Sequence, residues 1–371
     1  GRTVVTTWNA DGSRSSVLDA NGLTQYTYDN RGRLSKQTNP DGVVLSWTYD
    51  SAGRIASRTT PWGGVRYHYT ALGQMDSAVD TRAGAVAQTY DALGRLKSVS
   101  RPNGVATTFT YTKRGLQDTI WHKKSTTELA RFTYSFDKSG LRVGSSDKFG
   151  TSTKATGWNH DTLMRLTKET IAGVAKSWGY DSVSNRTSQV SGTTTETSVF
   201  DKRDRLLSVG TTTYAWDASG RLASRTISGV GATRYGWQDN DRLRRIDLAS
   251  GGVLEYTYDA QGLMASRTDA NGTERYAWDG TLPYGQMVAA TNASGTLKAR
   301  EVWGTEHLAE IRNDTVLWLL TDGLGHVRAV ADSVGKIIGR QDFDAWGNRT
   351  LDSGRTVRFG YRGEWSDAST G

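Results

Sequence analysis

The sequence predicts an all-β chain: a long antiparallel meander that curls into a spiral or hollow β-shell, with a capping C-terminal segment. Three observations carry this. An aromatic residue followed by Asp recurs about every twenty residues. A Gly follows most of these pairs three positions after the Asp. The composition suits strands and turns, with 42 Gly, 16 Tyr, 13 Trp and 7 Phe against only 4 Pro in 371 residues.

The series runs Trp8, Tyr28, Tyr49, Tyr69, Tyr90, Tyr111, Phe136, His160, Tyr180, Phe200, Trp216, Trp237, Tyr258 and Trp278. Most of its intervals are nearly equal. The exceptions are long from Tyr111 to Phe136 and from Phe136 to His160, and short from Phe200 to Trp216. Such a period marks a repeat architecture. Within one copy, Gln25 to Thr38, apolar and polar residues alternate up to Tyr28, which is a strand period. Asp29 can fold its carboxylate onto the amides of the turn, and Gly32 can take the left-handed conformation that closes it. The same pairing of roles falls on Tyr49, Asp50 and Gly53, on Tyr90, Asp91 and Gly94, on Trp216, Asp217 and Gly220, and on Tyr258, Asp259 and Gly262. Gly holds the position in nine of fourteen copies; Met164, Ser184, Asp204, Asp241 and Leu282 hold it in the rest. Met and Leu resist positive φ, so the turns at Met164 and Leu282 are expected to differ. A second turn, as at Asp19–Gly22 and Asn39–Gly42, closes each copy. Two strands per copy give about 25 to 30 strands.

A flat open sheet rarely exceeds about 10 strands, and a barrel beyond roughly 16 is too wide for side chains to fill, so the strip must curl into a spiral or shell. One aromatic per repeat would stack as a ladder along a face. The alternative is a row of sugar-stacking platforms. Residues 279–371 break the spacing. Within them Val316–Leu320 reads as a strand buried on both faces, and the segment is expected to cap the strip's open end.

Little in the sequence suggests catalysis. There is no Cys, which excludes disulfides, zinc–thiolate sites and cysteine nucleophiles. None of the five His pairs with another at metal-ligand spacing. His160 stands in for a ladder aromatic, and His122 with Lys123 and Lys124 reads as a solvated basic turn. His326 and Arg328 would share a strand face in a structural polar contact. Asp342 and Asp344 could divide a proton, but Phe343-Asp344-Ala345-Trp346-Gly347 repeats the turn pattern, which makes Asp344 a turn residue. No catalytic residue, metal site or cofactor is expected. The net charge of +8 is spread along the chain and indicates no specific nucleic acid. No apolar run is long enough to span a bilayer as a helix, so no membrane-spanning helix is expected.

The pattern in Tyr49-Asp-Ser-Ala-Gly-Arg-Ile55 and Tyr90-Asp-Ala-Leu-Gly-Arg-Leu96 resembles the YD repeats of the rearrangement-hotspot (RHS) family over residues 1–290. The stretch from Leu319 to Asp332, with Gly335, Asp342–Asn348 and Phe359–Glu364, is similar to the segment leading into the RHS terminal core. Its family positions here are Asp322, Gly325, Arg328, Asp332, Gly335, Asp344 and Gly347. The chain departs from the family at Gly323 and His326. The resemblance implies a strip over 1–290 and an RHS-associated segment over 291–371, leading towards a terminal core that is absent. It implies a non-catalytic shell that encloses a C-terminal toxin cargo in an exported bacterial effector, with other shell or secretion-apparatus chains as further partners. The paired Asp-Pro-x-Gly motifs of the family's autoprotease are not in the sequence, so the chain is expected to be a shell fragment, or a partial shell that needs partner chains. The alternative is an extracellular repeat module that binds carbohydrate or a cell surface, with surface glycans as partners.

Overall fold

The computed structural model describes residues 3–281, 285–367 and 369–370. These residues form 34 strands in one antiparallel meander and a single 3-10 turn at Tyr361–Gly363. The strand count exceeds the expected one because the irregular C-terminal part is also built from hairpins. Among the described residues, no helix is long and apolar enough to cross a membrane.

Each aromatic–Asp pair ends one strand and begins a tight turn. In the first full copy the strand Gly22–Tyr28 pairs with Leu34–Thr38. Tyr28 lies opposite Leu34 and Thr27 opposite Lys36, so Ser35 bulges out. The same slip, one residue before the aromatic, recurs at Tyr69, Tyr111, Phe136, His160, Tyr180, Phe200, Trp216, Trp237 and Tyr258. A bulge increases local twist, and one per repeat supplies it at a regular interval.

The chain divides into two compact units, Gly1–Ser46 with Lys176–Lys298, and Trp47–Ala175 with Ala299–Gly371. The second holds the large core. Alternate residues of its repeat strands, Val65, Ala78, Val86, Val99, Phe109, Ile120 and Phe132 among them, pack against Val302, Leu308, Ile311, Trp318, Leu320 and Ala329 of the C-terminal strands. The strand Thr315–Thr321 is buried on both faces from Leu317 onward, as its apolar run predicts. The first unit holds a smaller cluster at Ile246, Leu254 and Tyr256. From Gly179 to Ala232 it buries no residue at all, although every strand there is paired.

Candidate functional site

The repeat turn is the unit from which the molecule is built. The Asp91 carboxylate accepts the backbone N–H groups of Leu93 and Arg95 through Oδ1, both at 2.9 Å, and the Arg95 Nε–H through Oδ2 at 2.8 Å. Gly94, at φ +77°, donates its N–H to the Asp91 carbonyl. One carboxylate therefore satisfies two turn amides and an arginine at once. The Arg95 guanidinium holds the Asp91 carboxyl below the usual range, and Arg205 does the same to Asp201, down to about 2. Asp29, Asp50, Asp161 and Asp217 hold Arg33, Arg54, Arg165 and Arg221 in the same way. Gly32, Gly53, Gly220 and Gly262 all have positive φ.

The aromatics link consecutive repeats. The Tyr28, Tyr69, Tyr90, Tyr111 and Tyr258 hydroxyls donate to the carbonyls of Arg14, Ile55, Met75, Leu96 and Leu243 in the preceding copy, all within 2.7–2.9 Å. Trp216, Trp237 and Trp278 make the same bond through Nε1–H to Leu206, Leu222 and Met264. Each ring thus buries its body against the sheet and spends its polar tip on a carbonyl at the previous turn. Tyr49 closes the strand Val44–Tyr49 at the equivalent position.

A third arrangement lies in the second unit. One buried polar residue from each of four successive repeats reaches the C-terminal strands. Asp80 accepts the Arg300 guanidinium at 2.8 Å, and Arg101 donates to the Leu319 carbonyl at 3.3 Å and to Thr107 at 2.7 Å. His122 Nε2 donates to the Thr321 carbonyl at 2.9 Å, and Asp147 accepts Arg328 at 2.8 Å. Arg328 also binds Asp322 at 2.8 Å and Asp342 at 2.7 Å, and its guanidinium lies 4.9 Å above the Phe132 ring. Burial opposes its charge, but the three carboxylates outweigh burial and raise its pKa further.

A family model described as Teneurin YD-shell matches residues 2–146 and 133–371. The chain belongs to the YD-shell family. Crystal structures of TcdB2-TccC3-Cdc42 and of TcdB2-TccC3 share its fold with TM-scores of 0.81 and 0.80, at 16% identity. TcdB2-TccC3 without its hypervariable C-terminal region matches at 0.80, also at 16% identity. Each match covers 99% of this chain and 23% of the other. The tRNA3(Ser)-specific nuclease WapA of Bacillus spizizenii is 26% identical over 195 residues, which is 50% of this chain and 7% of the nuclease. The chain thus spans about a quarter or less of each of these relatives.

In the YD shell the C-terminal family positions are further repeat turns. Asp322 accepts the N–H groups of Leu324 and His326, Asp332 those of Val334 and Lys336, and Asp344 those of Trp346 and Asn348. Gly325, Gly335 and Gly347 follow three residues on, each with positive φ. Asp342 binds Arg328 and Lys154 rather than a second carboxylate, and Asp344 is a turn residue. His326 immediately precedes the strand Val327–Ala331, and its Nδ1 accepts the Arg362 N–H.

Two expectations are overturned. His122 is wholly buried on the strand Gln117–Lys124, not in a solvated turn, and burial with Arg101 beside it drives its pKa to about 3. It is neutral, so Thr107 Oγ donates to Nδ1 at 2.8 Å. Met164 takes φ +61° and donates its N–H to the Asp161 carbonyl, so its turn is like the others. The grip of Asp161 on Arg165 and two turn amides overrides the side-chain preference. Leu282 lies outside the described residues.

The buried acid Glu301 was not singled out in the sequence. It stands directly opposite Glu310 in the ladder, and its Oε2 lies 2.8 Å from His307 Nε2. Burial pushes Glu301 up to about 8 and His307 down to about 4, so the protonated carboxyl donates to a neutral imidazole. His307 stacks on Trp303 at 4.1 Å, which closes this pair off from solvent. Among the described residues, no cluster of three or more His, Asp or Glu is arranged to hold a metal ion.

Proposed function

We propose that this chain is wall of a β-shell that encloses a toxin cargo belonging to the same effector. Residues 1–290 supply the repeat strip and residues 291–371 the segment that leads towards the terminal core. The observation that carries the reading is the stretch from Gly179 to Ala232. It is paired sheet with no buried residue, its side chains half-buried or exposed throughout. A sheet ordinarily covers at least one face with a second layer. Here the hairpin turns and the aromatic bonds between repeats hold the layer, and a face is left for something else to occupy. The hypervariable C-terminal region of the TcdB2-TccC3 relative supports a variable occupant.

The wall is non-catalytic in this reading. The nuclease match covers too little of WapA to carry that activity across. The family points to an exported bacterial protein working with further shell or secretion chains.

Hydroxyl-radical footprinting tests the enclosure, comparing the chain alone with the chain carrying a C-terminal passenger polypeptide. Tyr214 and Trp216 alternate with Thr213 and Ala215 along their strand. Enclosure predicts that the passenger protects one set and leaves the other unchanged. Equal labelling of both sets with and without the passenger would count against it.

A further inference from the structure

Asp259 differs from the six arginine-paired turns. In six turns an arginine four residues after the Asp occupies the second carboxylate oxygen at 2.7–2.8 Å. Two of these guanidinium groups also lie over the Tyr ring of the next repeat, Arg54 on Tyr69 at 4.3 Å and Arg95 on Tyr111 at 4.2 Å. At Asp259 the position is Leu263. Asp259 Oδ1 still accepts the N–H groups of Gln261 and Leu263, but no group among the described residues donates to Oδ2. The next aromatic is Trp278, anchored through Nε1 to the Met264 carbonyl.

Beside this turn lies a cavity of about 380 Å³, formed within the first unit. Its lining includes Asp19, Asp41 and Asp259 and the rings of Tyr26, Tyr276 and Trp278. Its one basic lining residue, Arg275, directs Nη1 to the Ala293 carbonyl. Asn21 Nδ2 bonds the Tyr258 carbonyl at 2.8 Å and ties the two walls together. Burial raises the Asp259 carboxyl, and Asp19 raises it further, whereas the arginine-paired Asp29, Asp91 and Asp201 are lowered.

We propose that this cavity binds a guanidinium group from another molecule, seated between the Asp259 carboxylate and the Trp278 ring. The molecule shows the geometry in its own repeats, where carboxylate, guanidinium and ring stack in that order. Leu263 carries no cation to fill the place, and the cavity leaves room for one. A guanidinium suits the site better than an ammonium because it can bond the carboxylate in its plane and cover a ring with its face. The group could come from an arginine in a peptide or from a free guanidinium amine. Binding here is independent of cargo enclosure.

Calorimetric titration of the whole chain tests it, with blocked glycyl-arginyl-glycine, its leucine analogue, and agmatine as probes. The arginine probe should bind with a dissociation constant on the order of 1 mM, and the leucine analogue should not bind. Asp259→Asn keeps an acceptor for the turn amides and should weaken binding roughly tenfold. Leu263→Arg installs the cation found in the six other turns. It should abolish binding while the protein stays folded, which keeps the test decisive if the Asn variant does not fold. Tighter binding of the tripeptide than of agmatine assigns the site to a peptide, and the reverse assigns it to a small cation. Equal heats from the arginine and leucine probes, or binding that survives Leu263→Arg, would overturn the proposal.

Discussion

The Arg95 guanidinium that grips Asp91 lies over the ring of Tyr111 in the next repeat, 4.2 Å from its centroid. Tyr111 in turn donates its hydroxyl to the carbonyl of Leu96, beside that arginine. Turn, cation and ring therefore lock one repeat onto the next, in addition to the packing of Leu96 and Tyr111 on the core of the second unit. Arg54 and Tyr69 repeat the arrangement. In the stretch without buried residues the Trp216 indole makes the same link between repeats, to the Leu206 carbonyl, and helps hold the register there.

The lock makes Asp91 more important than Arg95. Asp91→Ala loses two turn amides and the arginine, whereas Arg95→Ala loses one ion pair and one ring contact. Thermal denaturation should show a larger drop in Tm for the aspartate variant. The double variant should be close to it, because the two substitutions remove a shared interaction.

Turn conformation gives predictions of opposite sign. Gly94 has φ +77°, and a Cβ there would meet Gln74 Nε2 at 3.2 Å. Gly94→Val should cost about 1–3 kcal/mol in urea unfolding. Met164 already carries φ +61° and is exposed, so Met164→Gly should stabilise by up to about 1 kcal/mol. Equal stability for the Met and Gly proteins would show that the turn relieves the strain elsewhere.

Arg328 concentrates three carboxylates in the second unit. Arg328→Met should destabilise by roughly 3–5 kcal/mol at pH 7, because Asp147, Asp322 and Asp342 stay buried without it. The deficit should shrink on acidification, because Arg328 holds the Asp342 carboxyl below its ordinary value against burial, and that contribution is lost from the native protein as pH falls. A pH-independent deficit would mean that lost packing on Phe132 is the main cost.

Glu301 sets a pH dependence with a definite sign. Its carboxyl titrates near 8 when folded and at an ordinary 4.5 when not. The stability it contributes is complete below about pH 4.5 and is lost as pH rises to about 8. Between those limits the loss is roughly 1.4 kcal/mol per pH unit at its steepest. His122 and His307, lowered to about 3 and 4, act in the opposite sense, but below pH 6.5. Burial and Glu301 raise the facing Glu310 as well, so between pH 7 and 8 the fall in stability belongs to this pair, and Glu301→Gln should reduce it in chemical denaturation.

The turns were legible in the sequence because their chemistry is local. Asp29, Gly32 and Arg33 lie close together in the chain, and much of their signature recurs along it. The bulge before each aromatic left none, because a slip of one residue does not alter which residue types appear. The buried polar contacts of the second unit were hidden for another reason. Asp80 and Arg300 stand 220 positions apart, and Asp147 and Arg328 181. Their spacing along the strip is nevertheless regular, with Asp80, Arg101 and His122 each one repeat after the last. His122 was misread because two lysines follow it. A strand period counted from buried Ile120 would have turned it inward. Met164 shows the limit of residue preference, since a well-bonded turn imposes its own φ.

Enclosure itself is tested most directly by protease access to a passenger. A polypeptide with one protease site, attached after Gly371, should be cut far more slowly than the same polypeptide alone. Unfolding the wall with denaturant should restore cleavage when a protease active under those conditions is used. Cleavage of the attached passenger at the rate of the free one, with the chain folded, would contradict the account.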